Sequence, residues 1–199
     1  GKINRDILVN SDDIEFIQCT GDIVEQTKKI AEKYKDYDYH NFQILVPMYK
    51  GVNGIDNLNI HLQNIFNTKS KIKKEIAISD NTFREKDKIL QLVNMPEERI
   101  FNGDIGIISN IDKKEIYIDF DTNEVKFTPS NFNKFKLGYA ISIHKSQGSE
   151  FDIVVIPVTK AYGKMLYRKL YYTAVTRAKK RLIIIGDINA LEYAAGNNT

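Results

Sequence analysis

Residues 43–58 read Gln-Ile-Leu-Val-Pro-Met-Tyr-Lys-Gly-Val-Asn-Gly-Ile-Asp-Asn-Leu, and this stretch carries the main indication of the fold. Its first five residues form a short apolar run typical of a buried strand. Two glycines, Gly51 and Gly54, then predict a turn, and apolar residues recur at helical spacing from Ile55 onward. A strand, a glycine turn and a helix are the unit of a parallel α/β sheet, which binds ligands at the carboxyl ends of its strands.

The rest of the chain extends this pattern on both sides. Residues 14–19 predict a strand, and Asp22 is placed to cap a helix over 22–35. Apolar runs predict buried strands at 153–158 and 182–185. Helices are predicted between and after these two strands, over residues 164–179 and 188–195.

Between residues 68 and 135 the hydrophobic period changes. Short strand-like runs, separated by turn-rich segments, indicate a small antiparallel barrel or meander. These runs cover residues 88–94, 104–109, 115–120 and 124–127. The sequence therefore predicts an α/β domain that is split by a small β insertion.

The composition is that of a soluble globular protein. The 199 residues are 42% hydrophobic and 28% charged, close to the average of soluble domains. No run approaches the ~18 apolar residues of a membrane-spanning helix, and no secretory signal opens the chain. The single cysteine, Cys19, excludes an intrachain disulfide framework and fits a reducing compartment, so we expect a cytoplasmic location and no membrane partner.

Charge is distributed unevenly along the chain. Residues 125–199 hold 12 basic and 4 acidic residues, and no acid lies between Asp152 and Asp187. This asymmetry favours a polyanionic partner such as nucleic acid or nucleotide phosphate. A solvated lysine-rich face is an equally good interpretation of the charge alone.

Several chemistries lack their sequence signatures. The chain contains no G-x-x-x-x-G-K-[ST] phosphate loop, no G-x-G-x-x-G and no G-x-S-x-G nucleophile elbow. Three separated histidines and one cysteine argue against zinc, and the segment from Asp119 lacks the glycine and closing glutamate of a calcium loop. We therefore expect no metal site and no self-contained catalytic site.

Two segments carry polar residues suited to phosphate. In 144–150, Lys145, Ser146 and the amides around Gly148 can converge on phosphate oxygens, whereas Glu150 suits a ribose hydroxyl or a cation. In 171–180, the planar guanidinium of Arg177 suits bidentate phosphate contact. A predicted helix would place it on one face with Thr173. From the residues alone, a capped turn and an exposed helical arginine remain open as structural interpretations.

Together these motifs resemble a known family. His144-Lys-Ser-Gln-Gly-Ser-Glu150, followed by Tyr172-Thr-Ala-Val-Thr-Arg-Ala178, strongly resembles motifs five and six of superfamily 1 helicases of the RecD-like group (similar to the exodeoxyribonuclease V alpha subunit). The segment 47–59 is similar to motif four of that group, and Phe101-Asn-Gly-Asp-Ile-Gly106 is similar to part of its β insertion.

The resemblance implies the second RecA-like motor domain of an ATP-dependent DNA helicase, generally 5′ to 3′ in polarity. Residues 1–68 and 136–199 would form the RecA-like domain, interrupted by an SH3-like barrel at 69–135. ATP with Mg²⁺ would be held mainly by an N-terminal motor domain upstream, so we expect a fragment that is inactive alone. The implied partners are single-stranded DNA, that N-terminal domain and nuclease subunits of DNA repair and recombination.

The same resemblance assigns roles to individual residues. Arg177 matches the arginine finger that approaches the γ-phosphate. Lys50 lies at the basic position of motif four, which implies that it also binds the nucleotide phosphates. Gly148 and Glu150 match positions near the nucleotide. The residues implied in DNA contact are His144, Lys145, Ser146, Gln147, Thr173 and Thr176.

Two other functions stay open at this stage. One is a non-catalytic nucleic-acid-binding or partner-docking module, with residues 104–127 as its candidate surface. The other is the helicase part of a conjugative relaxase, which shares motifs five and six.

Overall fold

The computed structural model describes residues 13–198, which separate into two compact units. One unit holds the residues up to His61 and those from Ala140 onward, and the other holds Leu62–Tyr139. The predicted insertion, 69–135, lies inside the second unit. Its exact boundaries stay a prediction.

The first unit is built on a five-stranded, wholly parallel sheet. Its strands are β1 (Ile14–Gln18), β2 (Phe42–Val46), β10 (Ala140–Ser142), β11 (Phe151–Val158) and β12 (Ala178–Gly186). They lie in the order β1-β12-β11-β2-β10. Because both faces of a parallel sheet are covered, its strands are near-continuous apolar runs. All five residues of β2 are buried, as are seven of the eight in β11.

The described helices are α1 (Val24–Tyr34), α2 (Ile55–Phe66), α3 (Arg168–Val175) and α4 (Ile188–Gly196). They belong to the first unit, except that α2 continues from Leu62 onward into the second. The cap position of α1 is occupied by Ile23 and not by Asp22 as predicted, although the Asp22 carboxylate accepts a hydrogen bond of 2.9 Å from the amide of Val24, the first residue of the helix. The turn before α2 requires Gly54, because a Cβ there would clash with the carbonyl oxygens of Tyr49 and Lys50. The turn and helix predicted from residues 43–58 are therefore both present.

The predicted helix over 164–179 is wrong at both ends. Residues Lys160–Met165 form 3-10 turns around Gly163, whose φ of +50° lies outside the helical region. Helix α3 ends at Val175, and β12 begins at Ala178, where it pairs with Phe151 of β11. Arg177 thus follows the helix instead of lying on it. The sheet register, which joins residues far apart in the sequence, overrides the local helical pattern here.

The second unit is antiparallel. Strands β3 (Glu75–Ile78) and β4 (Asn81–Arg84) form a hairpin. A five-stranded sheet follows in the order β8-β7-β6-β5-β9. Its strands are β5 (Lys88–Gln91), β6 (Ile105–Asp112), β7 (Glu115–Asp119), β8 (Glu124–Phe127) and β9 (Phe135–Leu137). The predicted meander is present as β5–β8, and within the described residues no pairing of β8 with β9 closes it. Prediction from sequence missed β3, β4 and β9.

Two kinds of packing hold the second unit together. The Phe135 ring makes edge contacts with the rings of Phe83 and Phe127, at centroid distances of 5.2 and 5.0 Å. The fully buried Asp87 carboxylate accepts hydrogen bonds from four donors. These are Gln63 Nε2 (2.7 Å), Asn67 Nδ2 (2.8 Å), the Arg84 amide (2.6 Å) and the Tyr139 hydroxyl (2.7 Å).

Candidate functional site

The loop of residues 143–150 runs from the carboxyl edge of the parallel sheet, where its strands end, to the amino edge, where its strands begin. It leaves the carboxyl end of β10, where Ser142 pairs with Val46, and enters the amino end of β11, where Phe151 pairs with Ala178. Ile153, two residues after Phe151, pairs with Phe42, which lies four residues before Val46 on β2. The two ends of the loop are therefore six strand positions apart. At about 3.3 Å per residue, this separation is about 20 Å along the strands. The polar residues of 144–150 therefore serve two separate places.

At the amino edge, Arg177 lies against the end of this loop. Its Nη1 donates to the Ser149 carbonyl at 3.0 Å, and its own carbonyl accepts from the Phe151 amide at 2.8 Å. Its Nε and Nη2 donate to the Thr173 carbonyl and the Thr176 Oγ1, both at 3.2 Å. Arg177 is thus hydrogen-bonded to the two residues that flank Glu150, which are Ser149 and Phe151.

Within residues 13–198, the acceptors of this guanidinium are all neutral oxygens. Arginine is charged at all physiological pH values and has five N–H donors, of which these bonds use three. Because none of these acceptors is negatively charged, the half-buried guanidinium is not neutralised by them and is suited to binding an external anion. The residues around it add to this suitability: Gly148 is exposed, has φ +83° and has open space where a Cβ would stand.

The two threonines near Arg177 are engaged with the backbone of α3. The Thr173 Oγ1 donates to the Lys169 carbonyl at 3.0 Å, and the Thr176 Oγ1 donates to the Thr173 carbonyl at 2.9 Å. Thr176 Oγ1 also accepts the bond from Arg177 Nη2. Both hydroxyls therefore bond to the backbone of α3, and the Thr176 hydroxyl also holds the guanidinium.

At the carboxyl edge, the same loop forms a short 3-10 turn over His144–Ser146. His144 and Gln147 are exposed, and Lys145 is half-buried. Ser146 is fully buried, and its hydroxyl donates to the Ile143 carbonyl at 2.6 Å. Its side chain stabilises the turn and does not face solvent.

Lys50 also lies at the carboxyl edge, since it follows the end of β2. Its ammonium group is highly exposed and lies 3.1 Å from the Asp56 Oδ2. The structure does not bring Lys50 beside Arg177, which precedes β12 at the opposite edge. Lys50 is instead on the same edge as the His144–Ser146 turn, because β2 and β10 are neighbours that end together.

Prediction from sequence missed Asn59, which fixes the strand that leads into the loop. This buried side chain donates from Nδ2 to the Ala140 carbonyl at 3.0 Å and accepts from the Ala140 amide at 2.7 Å. Asn59 therefore makes the pair of hydrogen bonds to the Ala140 backbone that a neighbouring strand would otherwise make. A polar residue between Leu58 and Leu62, on the apolar side of the predicted helix, was the available signal.

No group of three or more histidine, cysteine, aspartate or glutamate side chains that could hold a metal ion occurs in residues 13–198. In the same part of the chain, none of the helices combines the length and apolar character needed to cross a membrane.

Two families match adjoining parts of the sequence. Residues 58–127 match the SH3 domain of ATP-dependent RecD-like DNA helicases. Residues 137–185 match the C-terminal domain of UvrD-like helicases, and this segment includes Arg177 and the whole 143–150 loop.

Curated relatives agree with these matches. The chain is 37% identical over 153 residues to the ATP-dependent RecD2 DNA helicase of Deinococcus radiodurans, a match that covers 77% of the chain and 21% of the relative. It is 28% identical over 164 residues to the RecBCD enzyme subunit RecD of Buchnera aphidicola subsp. Schizaphis graminum, covering 81% of the chain and 27% of that subunit. The chain thus spans about a quarter of the length of these relatives.

Solved structures show the same fold. Bacteroides Pif1 bound to single-stranded DNA superposes with a TM-score of 0.54 at 16% identity, covering 80% of this chain and 45% of that one. Pif1 from Bacteroides in complex with ADP-AlF3 and single-stranded DNA superposes with a TM-score of 0.51 at 18% identity, covering 82% and 45%. At this level of identity the likeness concerns the fold.

Proposed function

Because the chain belongs to the RecD-like helicases of superfamily 1, with a RecA-like second motor domain and an SH3-like insertion, we propose that it works in ATP-dependent DNA unwinding. Its parallel sheet would contribute to two sites, one at each edge. The amino edge would complete an ATP site, and the carboxyl edge would contact single-stranded DNA.

The observation that carries the proposal is the position of Arg177. Its guanidinium contacts only neutral acceptors in the described residues and lies next to the loop that resembles motif five. A guanidinium held in this way can stabilise the negative charge that develops on a γ-phosphate during transfer. Such arginine fingers contribute about 10³–10⁵ in rate.

The neighbouring loop residues fit the remaining parts of a nucleotide. Gly148 would leave room for the loop to approach phosphate oxygens, and Glu150 would accept a hydrogen bond from a ribose hydroxyl. When bound, ATP with Mg²⁺ supplies the phosphoryl group and its neutralising cation. Since the 199 residues contain no phosphate loop, the larger part of this ligand would be held by another domain of the whole protein.

At the opposite edge, His144, Lys145, Gln147 and Lys50 would contact the backbone of single-stranded DNA. Contacts to phosphate and sugar position a strand without reading its sequence. Ser146, Thr173 and Thr176 would support these sites from within the fold, because their hydroxyls bond to the backbone. One eight-residue loop joins both edges, so movement at the nucleotide would be transmitted to the strand.

Substitution of Arg177 in the whole protein tests this proposal. We expect Arg177→Ala to lower the rate of DNA-stimulated ATP hydrolysis by about 10³-fold or more, while ATP binding is largely retained. Hydrolysis is measured by phosphate release, and binding is measured with a fluorescent ATP analogue.

Two comparisons sharpen this test. Lys179→Ala removes a nearby cation that lies 3.8 Å from Asp152, and it should hydrolyse ATP normally. Normal turnover in Arg177→Ala would refute the assignment of the finger. We also propose 5′ to 3′ polarity, for which the wild-type protein should unwind a duplex with a 5′ single-stranded tail and leave one with a 3′ tail intact.

A further inference from the structure

A groove in the RecA-like unit lies outside the two sites described above. It is formed between the segment 160–167, which follows β11, and helix α4, which follows β12. Its volume is about 1160 Å³, larger than a typical small-molecule pocket. The side chains that matter for its chemistry are Lys160, Lys164, Tyr167, Asn189 and Tyr193.

The two walls of the groove are bonded to each other at one end. The Asn197 Nδ2 donates to the Leu166 carbonyl at 2.9 Å, and the Arg168 amide donates to the Asn197 carbonyl at 2.8 Å. On the groove side of α4, Ala190 is buried. The groove is therefore preformed, and a ligand would not have to order these walls.

The lining of the groove is largely apolar, and its charged side chains, Lys160 and Lys164, are both basic. None of the described acidic side chains lines it, and Glu192 lies elsewhere on α4. Lys160 is 4.0 Å from the Asp187 carboxylate, which also accepts the Asn189 amide as the cap of α4. A second depression adjoins this surface and adds Arg168 and Lys169. The segment 160–169 belongs to the acid-free stretch between Asp152 and Asp187, whereas α4 follows that stretch.

Exposed aromatic rings accompany these cations. Tyr193 in the groove is 61% exposed, and Tyr172 in the adjoining depression is 68% exposed. Large rings with this exposure and basic neighbours are the combination by which proteins hold single strands. Bases stack on the rings while cations follow the phosphates. A duplex would not offer its bases in this way.

The position of the groove agrees with such a ligand. Strand β11 lies beside β2 in the sheet, and Lys160 follows the carboxyl end of β11 as Lys50 follows that of β2. Neighbouring strands are about 4.8 Å apart. The groove is thus on the same edge of the sheet as Lys50 and the His144–Ser146 turn.

We propose that this groove is an additional binding site for single-stranded nucleic acid. Lys160 and Lys164 pair with phosphates, a base stacks on Tyr193, and the strand continues along the edge from the His144–Ser146 turn. The proposal rests on the proposed function for the identity of its ligand. It extends the strand contact to residues outside all the helicase motifs recognised in the sequence.

The test separates stacking from charge by using two oligonucleotides, a fluorescein-labelled oligo(dT) and an abasic strand of equal length. Binding to the 199-residue chain is measured by fluorescence anisotropy at several salt concentrations. We expect Tyr193→Ala to weaken oligo(dT) binding by about fivefold or more and to leave abasic-strand binding unchanged. Tyr193→Phe should bind both strands as the wild type does, because it keeps the ring.

A second variant tests the charge. Lys164→Ala should weaken binding to both strands and lower the slope of log affinity against log salt by ~0.7, the value for one phosphate of a single strand. Lys29→Ala, at an exposed lysine of α1, is the matched control and should leave both affinities unchanged. Thermal melting verifies that each variant is folded.

Three results would overturn the proposal. The first is that both Tyr193→Ala and Lys164→Ala bind oligo(dT) with wild-type affinity, and the second is that Tyr193→Ala weakens binding to oligo(dT) and to the abasic strand equally. The third is that duplex DNA binds as tightly as oligo(dT) and that the two variants weaken its binding to the same extent. Because these titrations contain no ATP, they are independent of the Arg177→Ala hydrolysis test. Loss of the groove site alone would leave the proposed function standing, and normal hydrolysis in Arg177→Ala would leave the binding data valid.

Discussion

The hydrogen bonds of Arg177 show how a single residue can be held without losing its charge. A carboxylate partner would fix the guanidinium equally well, but would also neutralise the charge that a phosphate needs. Backbone carbonyls and the Thr176 hydroxyl avoid this loss, since they orient the planar fork with partial charges only.

This arrangement predicts a positioning role for Thr176. In the whole protein, Thr176→Val should lower kcat for ATP hydrolysis by about tenfold with little change in KM. The reason is that the guanidinium loses one of the bonds that orient it, and misorientation mainly affects the transition state. Thr176→Ser keeps the hydroxyl and should restore kcat. Equal kcat in the valine and serine variants would show that the bond to Arg177 does not matter.

At the scale of elements, the Asp87 carboxylate joins the end of α2, the β4–β5 turn and the segment after β9. It does so through Gln63, Asn67, the Arg84 amide and Tyr139. Burial raises the pKa of Asp87 above its ordinary value, and the hydrogen bonds from these neutral donors only partly offset that effect. Burial, and after it the Asp87 carboxylate, raise the pKa of Tyr139.

Replacing this carboxylate predicts a loss of stability. Asp87→Asn replaces one carboxylate oxygen, which accepts hydrogen bonds from two donors, with an N–H₂ group that is itself a donor. Because those donors lose their acceptor, we expect the free energy of unfolding to fall by about 2 kcal/mol. Asp80→Asn, an exposed aspartate in the β3–β4 turn, should change it by less than about 0.5 kcal/mol. Urea unfolding followed by circular dichroism measures both.

The raised pKa also sets the sign of the pH dependence. The folded state binds the Asp87 proton more tightly than the unfolded chain does. This contribution to stability is therefore complete below about pH 4 and is lost as pH rises through the folded-state pKa. The stability advantage of wild type over Asp87→Asn should shrink as the pH rises from about 4 through the folded-state pKa. An advantage that grows over this range would contradict burial as the dominant effect on this carboxyl group.

At the scale of the whole molecule, the chain spans 21% of its Deinococcus radiodurans relative and contains no phosphate loop. We therefore expect the 199-residue chain alone to show no ATP hydrolysis above background, with or without single-stranded DNA. Phosphate release measured at high protein concentration checks this. Turnover that disappears in Arg177→Ala of the same chain would contradict it and would place a complete catalytic site in these residues.

Features set by neighbours along the chain were predictable from the sequence. The apolar runs of β2, β11 and β12 and the glycine turn before α2 follow from local hydrophobicity and backbone freedom. The charge asymmetry and the residues of the two helicase-like motifs can also be read directly. The short strands β3, β4 and β9 were missed, although the equally short β8 was predicted, because their pairing with distant segments and not their own pattern defines them.

The arrangement of the site depends on contacts between residues that are distant in sequence. Strand register pairs Phe151 with Ala178 and Ser142 with Val46, and these pairings put Arg177 and Lys50 at opposite edges of the sheet. No local pattern contains that information. It was for the same reason that Arg177 was predicted on a helix, whereas the pairing of Ala178 with β11 ends the helix two residues before it. The sequence thus supplies the chemical groups, and the packing of non-neighbouring strands determines which of them can act on one ligand.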